Sequence, residues 1–218
     1  MQMGRAIFII FGCIGLINRE IMATSNNLTS INLNKLLYVS SNKFKLHSAQ
    51  KYLDKFAPNL TLEPVSLDFV EPQITNQVEI AVSKAKQAYL IYQKPLLVDD
   101  VGFYISKYNN FPGTVTGIVS RGLGFEGIKR LYDVGDEGYL RIVMVYIYGP
   151  EEYQIFDQQT DCILIKPENI TDQSEIFIQL AKPIGCNETF AQLMNHEAFY
   201  DVLPRSKALK ELLKFLQI

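Results

Sequence analysis

The chain has 218 residues, 21 of them basic and 23 acidic, with a formal net charge of -2 and a 48% hydrophobic share. That length buries a full core without disulfide staples, and the charge balance lacks the basic excess of proteins that grip nucleic-acid backbones. The 3 cysteines, Cys13, Cys162 and Cys186, are odd in number and far apart, which fits neither a disulfide framework nor a zinc site. A reducing, cytoplasmic setting follows as the expectation. His47 and His196 are the 2 histidines, so a histidine-rich metal centre or a Ser-His-Asp triad has little material, and chemistry falls to carboxylates and lysines.

Residues 6–17 form an apolar run behind Arg5, too short to cross a bilayer. The run fits the core of a signal peptide. A thin basic region and the lack of a small-x-small cleavage site instead favour an extension ahead of a start at Met22. Bulky Phe11 argues against a lipid anchor on Cys13, and no membrane partner is expected. Residues 24–34, rich in Asn, Ser and Thr, read as a polar linker. Residues 1–34 are therefore assigned as an extension or linker, and 35–218 as a single domain.

Within that domain, residues 35–39 read as a strand entering a loop at Ser40. Leu46, Ala49, Leu53 and Phe56 recur at helical spacing and predict a helix over 43–56. A strand over 60–69 follows, ending before Glu71 and Pro72. Asn76 or Thr75 caps a helix reaching Tyr92, with Val78, Ala81, Val82, Ala85, Ala88 and Tyr89 as its apolar face. Residues 95–98 predict a buried strand with Asp99, Asp100 and Gly102 at its end, where ligand sites of open α/β sheets form. Phe111-Pro112-Gly113 marks a turn, 124–131 a helix, and 139–148 with 153–165 a pair of strands around Gly149-Pro150. Leu209, Leu212, Leu213 and Leu216 make 207–216 an amphipathic helix. Strands alternating with helices give an α/β class.

Ser40-Ser41-Asn42-Lys43-Phe44-Lys45 places backbone N–H groups, a hydroxyl, an amide and two lysines near one helix N-terminus, which is an anion site. Taken alone, the same residues better describe a capped helix with solvated lysines. Asp99 and Asp100 alone likewise describe either metal-binding acids or a capping turn.

Further blocks follow in order: Glu71-Pro72-Gln73, Glu79-Ile80-Ala81 with Lys84-Ala85, Asp99-Asp100-x-Gly102, and Phe111-Pro112-Gly113. Leu123-Gly124-Phe125-Glu126-Gly127, Thr189-Phe190-Ala191 and Arg205-Ser206-Lys207-Ala208-Leu209 complete the series. From about Lys35 to the C-terminus this ordered set resembles the inosine triphosphate pyrophosphatase family. The resemblance implies an elongated mixed central sheet flanked by helices, in two lobes with the active-site cleft between them. It implies a homodimeric hydrolase that converts nucleoside triphosphates to monophosphate and pyrophosphate, with inosine or xanthosine as the favoured bases. By the same resemblance, magnesium is the cofactor, held by Glu71, Asp99 and Asp100. Asp100, Lys45 and Lys84 are the catalytic candidates, and Ser40, Asn42, Lys45, Phe177 and Arg205 the substrate-binding ones.

The chain departs from the family at the base-reading end. The Phe-Gly-Trp/Tyr-Asp-Pro block before Thr189 is missing, leaving Phe177 at the aromatic position and Ile178 at the Asp. A Lys-Asn-x-x-Ser-His-Arg tail retains only Arg205, with Lys207 or His196 as nearby substitutes. Gly117 and Ile118 stand where relatives place a basic residue. A site without hydrogen-bonding groups discriminates poorly between bases. A relative with altered nucleotide selectivity and a catalytically degraded nucleotide-binding protein are therefore the alternative readings.

Overall fold

The computed structural model describes residues 34–72 and 74–218. The expectations for the apolar run, the start at Met22 and the Cys13 anchor lie outside the described residues. Strand β1 (Lys35–Val39) buries Leu36, Tyr38 and Val39. Helix α1 (Lys43–Phe56) has the expected bounds, because the Asn42 side chain accepts from the Lys45 backbone N–H at 3.0 Å and caps it. Its buried face carries Ser48, Ala49, Tyr52 and Leu53, while Phe56, expected there, is exposed and packs on Tyr200.

Strand β2 (Thr61–Val65) is shorter than the expected 60–69. It pairs in parallel only with β1, from Lys35↔Thr61 to Val39↔Val65, and beyond Val65 the chain has no ladder partner among the described residues. Helix α2 (Gln77–Tyr92) follows, capped by the Asn76 side chain through the Val78 and Glu79 N–H groups.

Strand β3 (Leu96–Ile105) organises the site. Read from sequence as ending at Val98, it continues through both aspartates. Along one edge β5 (Glu137–Ile147) pairs with its whole length, from Leu96↔Ile147 to Ile105↔Gly138. Along the other, β1 pairs at Leu96 and Leu97, and β4 (Phe111–Gly113) only at Phe103, Tyr104 and Ile105. Residues 98–102 therefore face a gap between β1 and β4. Asp99 and Asp100 sit in that gap, beside the carboxyl end of β1, where the topology opens a crevice. A Cβ at Gly102 would stand 2.9 Å from the Gly113 carbonyl oxygen, so glycine permits β4 to close the far end.

Helix α3 (Thr116–Ile128) begins earlier than the expected 124–131 and is broken at Gly124, whose φ of 60° suits glycine. Four glycines gave this stretch a weak helical signal in sequence. Thr116 fixes its start, donating to the Gly113 carbonyl at 2.6 Å and accepting from the Phe103 N–H at 2.8 Å. The long β5 pairs antiparallel with β6 (Tyr153–Leu164), as expected. Short α4 (Ile176–Leu180), β7 (Ala181–Pro183), α5 (Phe190–Leu193) and α6 (Phe199–Val202) lead to α7 (Pro204–Leu216). Proline at its first turn starts α7 three positions before the expected 207, bringing Arg205 into the helix.

The result is a mixed 7-stranded sheet in the order β2-β1-β3-β5-β6-β7, with β4 on β3. Helix α2 covers one face through Ala81, Ala85 and Ala88 against Leu96, Val98, Val143 and Val145. Helices α1 and α7 pack together, and α7 lies on β5 and β6. An α/β protein with a mixed central sheet flanked by helices is thus what the chain forms. Among the described residues no helix is long and apolar enough to cross a membrane.

Candidate active site

A cavity of about 720 Å³ lies over the gap in the sheet. Its wall includes Ser40, Asn42 and Lys45 from the β1–α1 loop and first turn of α1, and Glu71 from the segment before α2. Lys84, Asp99, Asp100, Phe177 and Arg205 complete the set. Every candidate read from the sequence therefore borders one space, although they do not act on one point.

Successive residues of a strand face opposite sides of the sheet. Asp99 turns toward α1 and α7, and Asp100 toward α2. The Asp99 carboxylate is 3% exposed and accepts from the Tyr38 hydroxyl, the Lys45 ammonium and the Arg205 guanidinium, whose Nε and Nη2 each lie 3.1 Å from Oδ2. Arg205 is itself buried and donates to Ser48 Oγ at 3.0 Å. Burial raises the Asp99 pKa, but Lys45 and Arg205 outweigh it and hold the carboxyl well below its usual range. The same burial and the neighbouring Asp99 push the Tyr38 hydroxyl upward.

Asp100 has the opposite character. Its Oδ1 accepts from Lys84 Nζ at 3.2 Å, and Glu71 Oε1 lies 3.0 Å from the same ammonium. The second oxygen, Oδ2, is buried without a hydrogen-bond partner among the described residues. Burial is the main cause that raises the Asp100 pKa, and Lys84 only partly opposes it. For Lys84, burial favours the neutral amine, yet Asp100 and Glu71 prevail and its pKa is raised.

The three carboxylates expected to hold a metal, Glu71, Asp99 and Asp100, do not converge on one point. The sheet's alternation separates Asp99 from the other two, and its oxygens are taken by cations and a phenol. Among the described residues no three His, Cys, Asp or Glu side chains gather as a metal-ligand group. Glu71 and Asp100 do converge, on Lys84. Lys45 and Arg205, expected to meet substrate, spend their charge on Asp99.

The β1–α1 loop also has structural duties. Ser40 Oγ accepts from the Asn42 N–H at 3.2 Å, and Asn42 caps α1. The Asn42 amide Nδ2 donates to Glu175 Oε1 at 2.6 Å. Sequence reading missed Glu175, and it missed Tyr38, Ser48 and the fully buried Gln77. Gln77 donates to the Asp100 carbonyl at 3.1 Å and accepts from the Tyr104 hydroxyl at 2.7 Å. A polar residue at a buried helix start, opposite a strand carrying acids, was the one local signal available for Gln77.

At the other end of the cavity, Phe177 is 4% exposed and stacks on Phe103 with ring centroids 4.7 Å apart. One aromatic face is thus already covered. Ile178 lines the wall beside it and offers no polar group, as the sequence implied. Neither suggested substitute joins the cavity wall: His196 faces Glu188 at 3.1 Å, and Lys207 donates to the Gln159 carbonyl and Thr160 Oγ1.

Comparison with known proteins places this geometry in context. The model of the Ham1 family matches residues 36–215. A dITP/XTP pyrophosphatase of Hyperthermus butylicus is 26% identical over 184 residues, covering 84% of this chain and 94% of the relative. The inosine triphosphate pyrophosphatase of Yarrowia lipolytica is 29% identical over 186 residues, covering 83% and 95%. Among solved structures, a HAM1 protein from Coxiella burnetii superposes with a TM-score of 0.65 at 18% identity, covering 84% of this chain and 98% of that one. The family match spans β1 to α7 and takes in every element that borders the cavity, so the chain belongs to the Ham1 family.

Proposed function

We propose that the cavity hydrolyses a nucleoside triphosphate to the monophosphate and pyrophosphate, with noncanonical purines such as inosine or xanthosine as bases. The observation that carries this reading is the buried, unpartnered Oδ2 of Asp100 in a wall that also holds Glu71 and two lysines. A buried carboxylate oxygen left unpaired costs free energy unless a ligand, ion or water completes it. Family membership and the pyrophosphatase relatives supply the reaction class, a hydrolase acting on acid anhydrides.

Magnesium fits the donors present. It uses one or two carboxylates plus phosphate oxygens and water, and Glu71 with Asp100 provide such a pair. When bound, the ion would draw charge from the phosphate oxygens and make the α-phosphorus a better electrophile. Asp100 accepts the proton as a water oxygen attacks the α-phosphorus and the bond from that phosphorus to its bridging oxygen breaks. Pyrophosphate leaves with the bridging oxygen. Lys84 holds Asp100 and Glu71 in register and stabilises charge that builds on the phosphate chain. Lys45, at the start of α1, keeps Asp99 ionised while the α1 N-terminus presents its N–H groups to anions.

Turnover of a purified nucleotide panel with and without magnesium, measuring pyrophosphate and monophosphate, tests the reading. Release of both from inosine or xanthosine triphosphate, lost in Asp100→Asn, is expected. No turnover of any nucleotide would leave a degraded nucleotide-binding protein. Ile178 and the Phe103-covered Phe177 favour a second reading, altered base selectivity, in which adenine, guanine and hypoxanthine triphosphates turn over equally. A homodimer, as the resemblance implies, is checked by sedimentation.

A further inference from the structure

The cavity wall carries Lys45, Lys84, Arg121 and Arg205 as its cations. Three of them are bound to carboxylates: Lys45 and Arg205 to Asp99, and Lys84 to Glu71 and Asp100. Arg121 is exposed and has no ion-pair or hydrogen-bond partner among the described residues. It sits on α3, four residues after Gly117, so the two share a helix face. A Cβ built on Gly117 would stand 3.4 Å from an Arg121 Nη1, so the guanidinium lies back over the glycine, and both residues line the cavity. A Cβ at Gly117 would make ordinary van der Waals contact with it.

The position along the cavity follows from a contact at the start of α3. Thr114 Oγ1 donates to the Ile74 carbonyl at 3.0 Å, tying this end of the helix to the segment that carries Glu71. Glu71 in turn shares Lys84 with Asp100. The uncommitted guanidinium lines the same cavity as that acidic centre. An arginine with a free planar fork, beside acids that must be offset before a polyanion can enter, is suited to bidentate phosphate binding.

We propose that Arg121 binds the pyrophosphate half of the substrate, as a cation supplied from α3 where Gly117 provides none. The proposal rests on the triphosphate reading above. It assigns the phosphate-chain affinity to a residue outside the β1–α1 loop, because the cations of that loop and of α7 are already engaged by Asp99.

Calorimetric binding of inorganic pyrophosphate and of inosine monophosphate, in magnesium buffer, separates this role from turnover. Arg121→Ala is expected to weaken pyrophosphate binding about tenfold and to spare monophosphate binding, with Arg121→Lys recovering part of the loss. The doubly substituted Gly117→Lys, Arg121→Ala protein, which moves the charge back one turn, is expected to regain affinity. With the triphosphate, KM rises more than kcat falls. Pyrophosphate affinity unchanged in Arg121→Ala, or an equal loss for the monophosphate, overturns the proposal. Arg121 is exposed, so the thermal midpoint of each variant checks that folding is intact. Failure of the parent protein to turn over any triphosphate overturns the function instead, and pyrophosphate binding still reports whether Arg121 holds the anion.

Discussion

Asp99 and Asp100 are neighbours in one strand, both buried, yet the protein treats them as opposites. Asp99 meets a phenol, an ammonium and a guanidinium, and its charge is more than compensated. Asp100 meets one ammonium that it shares with Glu71, and one of its oxygens has no partner among the described residues. Strand alternation produces the difference, since each carboxylate faces a different helix layer. Asp99 therefore has a complete set of partners within the fold, and Asp100 does not.

The largest expected effect breaks the Asp99 side. Asp99→Ala leaves Lys45 and the buried Arg205 without their counter-ion, a loss of about 3–5 kcal/mol in chemical denaturation. Its pH dependence carries the sign. The folded pKa of Asp99 lies below the ordinary 3.8, so its stabilisation is complete above that value and fades as pH falls toward the folded pKa. The stability gap between parent and variant should narrow on acidification below about pH 4. A gap that stays constant would mean Asp99 acts by packing alone.

Asp100→Asn is expected to cut turnover about 10²-fold or more while the thermal midpoint holds or rises. The folded pKa of Asp100 lies above 3.8, so the stability it contributes is present below the ordinary pKa and is lost as pH rises through the folded value. At neutral pH the ionised Asp100 is therefore a cost to folding, which the amide removes. Denaturation of the metal-free protein across pH should show the Asp99 and Asp100 variants diverging from the parent in opposite directions. Parallel curves would erase the distinction between the two carboxylates.

Lys84→Met addresses the cation on the Asp100 side. Removing it leaves burial and Glu71 to raise the Asp100 pKa further. The acidic limb of the rate profile should move to higher pH, with about a tenfold loss at neutral pH and recovery under alkaline conditions. A loss of equal size at all pH values would place Lys84 on the substrate alone.

This division explains what the sequence could reveal. Helix α1 was read to its bounds because Asn42 and a periodic apolar face are local signals. The hairpin of β5 and β6 was legible for the same reason. The aspartates were read as the end of a strand, because acids in a buried strand interior go against local pattern. The burial of Asp99 depends on Tyr38, Lys45 and Arg205, which lie 61, 54 and 106 residues away in the chain. No window of neighbouring residues contains those partners. The motif spacing therefore identified which residues line the cavity, and only their three-dimensional partners separated the fully partnered carboxylate from the partly partnered one. Glu175, whose contact with Asn42 spans 133 residues, was invisible on the same grounds.

Glu175 supplies the sharpest test of whether face or partner decides. It contacts the β1–α1 loop and feels Lys45 and Arg205, as Asp99 does, yet burial outweighs both and its pKa is raised. The difference is contact: Asp99 is hydrogen-bonded to those cations, whereas Glu175 is bonded to a neutral amide at 2.6 Å. Charge at a distance is weakened by the intervening dielectric, and a direct charge-assisted bond is not. Glu175→Gln keeps an acceptor for Asn42 and removes a negative charge beside the β1–α1 loop. It should lower KM for the triphosphate by about two- to threefold, in line with a surface-range electrostatic change. Glu175→Ala also removes that charge but frees the Asn42 amide, at about 0.5–1.5 kcal/mol of stability, so its KM should fall less. If both variants bind the triphosphate as the parent does, Glu175 only braces the loop, and its likeness to Asp100 ends at burial.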